Sequence, residues 1–363
     1  MKGSVLLRDS WQRWEEEGTA LLLNPRLPGR WRSPALSAEL PDLPNHIWLA
    51  SSGSSGAFKL VALSRGALEA SASAVNAHLE VTGDDCWINP LPLFHVGGLG
   101  IVVRAALAGV RCNFFPAWDA HEFVRCAISC GATLSSLVPA QLHDVVVAGL
   151  RCPAKLRAVV VGGGALDEAL GSRARELGWP VLPSYGLTEA ASQVATAVPG
   201  SPEFSWLPLL DHFDARVGED SLLELRGPSL LTGWMLFKED GTVLWEDPKM
   251  DGWFRTSDRC ELLKGKLRVL GRLDDLVKIR GELVDVAMLE RALQARVVSG
   301  LVRIDLEHDE RNGVALVVVA ENARAETEAR GAVDLFPPYA RPEFFCVGPV
   351  ELTPLGKKIR PTR

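Results

Sequence analysis

Between residues 110 and 190 the chain alternates short β-rich runs with segments of helical spacing. "VRCNFFP", "ATLSSLVP", "KLRAVVVGGG" and "PVLPSYGLTEA" read as strands. "HEFVRCAISCG", "QLHDVVVAGL" and "LDEALGSRARELG" lie between them, and the first and last end at Gly131 and Gly178. Runs of this kind, each pair separated by about one helix, are what parallel strands joined by helical crossovers require. The fold class is therefore α/β, with a largely parallel sheet at its core.

Two further strands precede this region. "HIWLA" (46–50) and "FKLVALS" (58–64) flank the stretch "SSGSSGAFK", and "GALEASASAVNAHLE" places Leu68, Ala72, Val75 and Leu79 at helical spacing. A helix is also expected at "SWQRWEEEG". Beyond residue 215 the pattern changes. "SLLELRGPSLLTGW" and "CELLKGKLRVLGR" read as antiparallel hairpins, and "VAMLERALQARV" with "GVALVVVAEN" reads as a small α+β module. "GRLDDLVKIRG" is polar and sets the expected boundary: a large domain over 1–273 with mixed and parallel sheets, and a small one over 274–363. A length of 363 residues suits two such domains.

A net charge of −6 gives no footprint for nucleic acid, and apolar runs broken by Arg104, Asp144 and Arg157 leave no membrane span. Seven cysteines without a CxxC pair suit a reducing compartment, so a cytoplasmic protein is expected. Cys126 and Cys130 have helical spacing, but no second pair accompanies them to make a metal site.

The small residues Ser51, Ser52, Gly53, Ser54, Ser55 and Gly56, followed by Lys59, could form a plain surface loop or a phosphate nest. In a nest, backbone N–H groups and hydroxyls surround an anion and the ammonium adds charge. The spacing is not that of the GxxxxGK[ST] loop. In "SYGLTEA", Thr188 beside Glu189 offers a hydroxyl for phosphate and a carboxylate for Mg²⁺, or else a helix start. "VVVGGGALD" lacks the last glycine of a dinucleotide fingerprint, since Asp167 stands there; Gly162, Gly163 and Gly164 would instead let a flat ring lie on bare backbone. Asp258 in "DGWFRTSD" could accept from a ribose diol, and Lys357 follows a Pro–Leu–Gly turn.

Taken in order, these motifs, with "PLFHVGG", "GRLDDLVKIRG" and "GKKIR", resemble the adenylate-forming (AMP-binding) superfamily of acyl-CoA synthetases over residues 46–363. Within it, "LPLFHVGGLGI", "SLVPAQL", "YGLTEAAS" and "TSDRCELLKGKLRVLGRLDDL" look closest to the o-succinylbenzoate–CoA ligases of menaquinone biosynthesis. The resemblance implies an AMP-forming acid–thiol ligase that uses ATP, Mg²⁺ and coenzyme A. A small carboxylate is its substrate, and a homodimer is left open. It implies that Ser51 to Gly56 and Lys59 cradle phosphate, with Thr188 on phosphate and Glu189 on Mg²⁺. Gly162, Gly163, Gly164, Ala165, Ser184, Tyr185 and Gly186 would flank adenine, and Asp258 and Arg272 would hold the ribose. Lys357 would bridge carboxylate and α-phosphate, while His95 would gate the acyl pocket. Asp274 would be the hinge of a mobile small domain that brings in the segment with Lys278 and Gly281. Ser135, Ser136 and Gln141 are expected substrate contacts. Another aryl- or acyl-CoA ligase, a carrier-protein-loading enzyme, or a degenerate nucleotide-binding homologue are the alternatives.

The chain departs from the family pattern in three places. Phe58 and Leu60 flank Lys59 where Pro and Gly are usual, Ser257 replaces a glycine, and the segment before the loop is short.

Overall fold

The computed structural model describes residues 20–351, apart from 28, 53–57, 116, 239, 280–281, 310–312, 337, 339–340 and 343. The expected helix at "SWQRWEEEG" lies outside the described residues. The chain divides into two compact units. The first holds residues up to Thr256 together with Glu261–Val269, and the second holds Ser257–Cys260 and Leu270 onward.

The first unit is built around a six-stranded sheet. Its order is Arg111–Phe114, Cys86–Asn89, Leu134–Leu137, Ala158–Val161, Val181–Leu187 and Ser192–Thr196. The first five strands run parallel and the last turns back antiparallel. Cys86–Asn89, Leu134–Leu137 and Ala158–Val161 are buried at every position, as strands covered on both faces must be. The helices Val96–Ala108, Ala120–Cys130, Pro139–Val147 and Glu168–Glu176 connect these strands in chain order. Asp119 and Asp167 cap two of them by accepting from Glu122 N and Leu170 N. Asp167 is thus a helix cap, which explains why it interrupts the glycine series. Phe123, Leu142, Val159, Val181 and Trp179 fill the layer between helices and sheet.

A second sheet orders Ala20–Leu22, His46–Ser52, Phe58–Ser64, Gly233–Phe237 and Val243–Glu246. Strands His46–Ser52 and Phe58–Ser64 pair antiparallel out to Ser52 opposite Phe58. Phe58, Leu60 and Ala62 alternate onto one face and pack with Trp48, Met235 and Phe237. The bulky residues around Lys59 are therefore core residues of a strand.

A third sheet contains Asp214–Val217, Leu222–Arg226, Trp253–Leu263 and Lys266–Arg272, with short pairings by Leu207–Pro208 and Lys249–Met250. "CELLKGKLRVLGR" is a hairpin, turning at Lys264 and Gly265, both with positive φ. "SLLELRGPSLLTGW" is not a hairpin. Its first half, Leu222–Arg226, pairs with Asp214–Val217, while its second half enters the second sheet beside Phe58–Ser64. Two apolar runs a few residues apart suggest self-pairing, but the first pairs with the strand just before it and the second with one far back in the chain.

The second unit is α+β. Val302–Asp309 and Gly313–Ala320 pair antiparallel, and Phe344–Val347 adds in parallel after the helix Ala323–Ala332. Val286, Leu289 and Leu293 of the helix Val286–Gln294 join Ile304, Val318 and Ala329 in its own core. Leu276–Ile279 and Glu282–Asp285 form a separate two-stranded ribbon.

Candidate active site

Ligands of open parallel sheets sit beyond the carboxyl ends of the strands. At that end, the strand Ala158–Val161 runs into Gly162, which donates to the Leu137 carbonyl at 3.2 Å. A Cβ on Gly162 would lie 3.2 Å from the Ser184 carbonyl oxygen, so the two neighbouring strand ends touch through bare backbone. Gly163, Gly164 and Ala165 are exposed, with Val138 and Pro139 beneath the two glycines. The result is an open, side-chain-poor ledge beside Ser184, Tyr185 and Gly186. Ser184 Oγ is held by Thr196 Oγ1 at 2.8 Å and faces the Ala195 carbonyl at 3.3 Å.

Gly186 sits at a bulge where the register between Val181–Leu187 and Ser192–Thr196 shifts. A Cβ there would collide with the Ser192 carbonyl oxygen, so only glycine fits. The strand ends in a single 3₁₀ turn, Thr188–Ala190, rather than a capped α-helix. Ala191 and Ser192 then take φ of 52° and 128°. Non-glycine residues in that region store strain, and such strain clusters at functional turns. The turn carries half-buried Thr188 and Glu189 at the end of the strand whose Ser184 meets Gly162.

The turn is braced from behind. The Leu231 N–H donates to the Glu189 carbonyl at 2.8 Å, and the Thr232 N–H donates to the Ala62 carbonyl at 2.9 Å. Lys249 Nζ donates to the carbonyls of Leu231 at 2.7 Å and Thr232 at 3.2 Å, and to Asp247 at 2.7 Å. His46 Nε2 lies 2.7 Å from Thr232 Oγ1. Two residues thus join the strand that carries Lys59 to the turn that carries Glu189. Lys59 belongs to the strand Phe58–Ser64, and its ammonium lies 3.8 Å from the centroid of the Trp234 ring.

His95 precedes the helix Val96–Ala108, with its ring 4.6 Å from that of Phe94. Ser135 Oγ donates to the Ile88 carbonyl, and Gln141 Oε1 accepts from Val138 N. Both side chains hold local backbone. Ser136 is buried, and its Oγ has no hydrogen-bond partner among the described residues.

Arg104 was not anticipated as a site residue. It is 1% exposed on the helix Val96–Ala108, and Nη2 donates to Ser192 Oγ at 2.9 Å. With the Gln193 amide turned so that its nitrogen faces Thr196, its oxygen accepts from Arg104 at 3.1 and 3.2 Å. No carboxylate pairs with Arg104 among the described residues, and burial pushes the guanidinium down to about 9. It remains charged at neutral pH. The signal in the sequence was a single charge inside the apolar run "GLGIVVRAALAG".

In the second unit, Arg272 Nε lies 3.8 Å from Asp258 Oδ1, so the two expected ribose contacts are brought together. Lys278 lies on the ribbon strand Leu276–Ile279. Gly53, Ser54, Ser55, Gly56, Gly281 and Lys357 lie outside the described residues, as does the side chain of Ser52. No group of three His, Cys, Asp or Glu suited to a metal occurs among the described residues. One half-buried carboxylate, Glu189, fits a Mg²⁺ that takes its other oxygens from phosphates and water.

The sequence profile of the AMP-binding enzymes matches residues 44–215. Residues 44–215 thus belong to that family, and the chain has the adenylate-forming fold. Among its relatives are 2-succinylbenzoate–CoA ligases. That of Bacillus mycoides is 29% identical over 81% of this chain and 64% of its own length, and that of Bacillus cereus strain Q1 is 31% identical over 67% and 53%. The chain thus spans less than two thirds of the length of these relatives. A variant of E. coli MenE with bound OSB-AMS superposes with a TM-score of 0.78 at 26% identity, covering 95% of this chain and 82% of that one. The Bacillus subtilis o-succinylbenzoate coenzyme A synthetase solved with ATP and magnesium ion shares the fold, with a TM-score of 0.72 at 24% identity over 83% of this chain and 66% of that one.

Proposed function

We propose that the protein is an ATP-dependent acid–thiol ligase. In the first half-reaction a carboxylate oxygen attacks the α-phosphorus of ATP and pyrophosphate leaves. In the second, the thiolate of coenzyme A attacks the acyl carbon of the adenylate and AMP leaves. The observation that carries this reading is the strained Thr188–Glu189 turn, which ends the strand whose Ser184 meets Gly162 at the carboxyl end of the parallel sheet. The ledge seats the flat adenine against backbone. The Thr188 hydroxyl donates to phosphate, and Glu189 supplies the carboxylate for Mg²⁺, which when bound neutralises phosphate charge.

In the same reading Lys59 and the small residues before it hold the outer phosphates, and Asp258 with Arg272 accepts and orients the ribose hydroxyls. Lys357 bridges the attacking carboxylate and α-phosphate, and the small domain, 274–363, exchanges position between half-reactions. His95 lines the path between acid and thiol.

For the acid, the support is Arg104. A buried guanidinium with no carboxylate partner among the described residues favours a substrate with a second carboxylate, and Ser136 offers a hydroxyl on a nearby strand. o-Succinylbenzoate, the acid in the names of the relatives, has that second group. Seven free cysteines, together with the use of ATP and coenzyme A, suit the cytoplasm. The test is pyrophosphate release in the presence of o-succinylbenzoate and ATP, followed by thioester formation on adding coenzyme A. Release with simple benzoates or fatty acids but not with this diacid would reject the substrate assignment.

A further inference from the structure

Lys59 and Val61 point to the face of their strand opposite Phe58, Leu60 and Ala62. Val61 is the cross-strand partner of Trp234, and Lys59 is that of Leu236, so Lys59 and Trp234 are diagonal neighbours on one face. The ammonium lies 3.8 Å from the Trp234 ring centroid, within cation–π distance of the indole face. The indole is itself fixed. Its N–H donates to Glu246 Oε2 at 3.1 Å, and Phe254 meets it edge-on at 6.0 Å between centroids. Phe254 belongs to the "DGWFRTSD" strand, so the platform joins three motif regions of the first unit.

We propose that Trp234 is a positioning residue for nucleotide binding. Its indole face, locked by Glu246 and Phe254, holds the Lys59 ammonium in place for the phosphates. A free lysine has four rotatable bonds and loses that freedom on meeting an anion. An ammonium already resting on a fixed ring loses less of it. The inference rests on the reading that Lys59 binds ATP phosphate.

The experiment is a double-mutant cycle read by equilibrium dialysis of Mg-ATP, which needs no acid substrate. Native protein, Lys59→Met, Trp234→Leu and the double variant are compared, with Trp234→Tyr as the variant that keeps an aromatic face. A cation–π contact corresponds to roughly 2- to 30-fold in affinity. Trp234→Leu should weaken Mg-ATP binding within that range, and Trp234→Tyr should restore most of it. In the Lys59→Met background Trp234→Leu should have no further effect. An equal loss in both backgrounds would make Trp234 merely structural and overturn the inference, as would tighter binding by Trp234→Leu. If the native protein itself fails to bind Mg-ATP, the ligase reading falls and this inference with it. Should Trp234→Leu not fold, Glu246→Ala on the exposed strand Val243–Glu246 reads the same coupling. Additive losses there overturn the inference equally.

Discussion

The guanidinium of Arg104 lies 2.9 Å from the hydroxyl of Ser192, which ties the helix that follows His95 to the strand that follows Glu189. A cation with no carboxylate partner among the described residues thus sits between that helix and that strand. A buried charge without a counter-charge is costly, and an apolar side chain of similar length removes that cost. Arg104→Met should therefore melt within a few degrees of the native protein. It should nevertheless raise KM for a diacid roughly 10- to 100-fold, the range of a lost charged hydrogen bond, and leave KM for a monoacid unchanged. Calorimetry and pyrophosphate-release kinetics measure the two effects separately.

Lys249 supports Glu189 without touching it, through the Leu231 carbonyl and the Leu231 N–H. Lys249→Met leaves two backbone carbonyls without their donor. The expected loss is about 1–3 kcal/mol in urea unfolding. Because the Glu189 turn loosens, the Mg²⁺ concentration for half-maximal pyrophosphate release should rise. A stability loss with an unchanged Mg²⁺ requirement would place Lys249 outside the site.

Gly186 and Gly162 make a contrasting pair. A Cβ at Gly186 collides with the backbone of Ser192, whereas at Gly162 it meets the Ser184 carbonyl at 3.2 Å, where a small shift suffices. Gly186→Ala should destabilise the unit by about 1–3 kcal/mol and abolish activity. Gly162→Ala should fold normally and weaken ATP binding, as measured by the same dialysis.

Asp85 lies at the amino-terminal end of the parallel sheet, just before the strand Cys86–Asn89. Burial opposes its charge, but hydrogen bonds from Arg157, Thr133 and Thr82 outweigh that and bring the carboxyl down to about 2. The folded value is below the ordinary value of 3.8, so the stabilisation is complete above pH 3.8 and is lost as pH falls through about 2. Asp85 is nearly buried but Arg157 is 37% exposed, so solvent screening limits the contribution to about 1–2 kcal/mol. Asp85→Asn should lower the melting temperature at pH 7 and flatten its fall between pH 4 and 2.

Elements with strong local patterns were legible in the sequence. Strands 46–50 and 58–64 and the helix Arg65–His78 follow from apolar spacing, as do the parallel strands and their crossover helices. What local pattern could not show was long-range choice of partner, as when Gly233–Phe237 joined Phe58–Ser64 rather than Leu222–Arg226. The same holds for the site. Thr188, Glu189 and the three glycines stand in recognisable motifs. Arg104, Lys249 and Trp234 contact Ser192, Leu231 and Lys59, which are 88, 18 and 175 residues away in sequence, and only the folded backbone brings those neighbours near. Phe58 and Leu60, which looked like intruders in a phosphate loop, are core residues of the strand after it.

Adenylation of a dicarboxylic acid is tested most directly by release of pyrophosphate from Mg-ATP on adding o-succinylbenzoate, with coenzyme A omitted and then supplied. One pyrophosphate per active site is expected before coenzyme A, and steady turnover to the thioester and AMP after it. ATP binding without pyrophosphate release, with this acid or any other carboxylic acid, would contradict it.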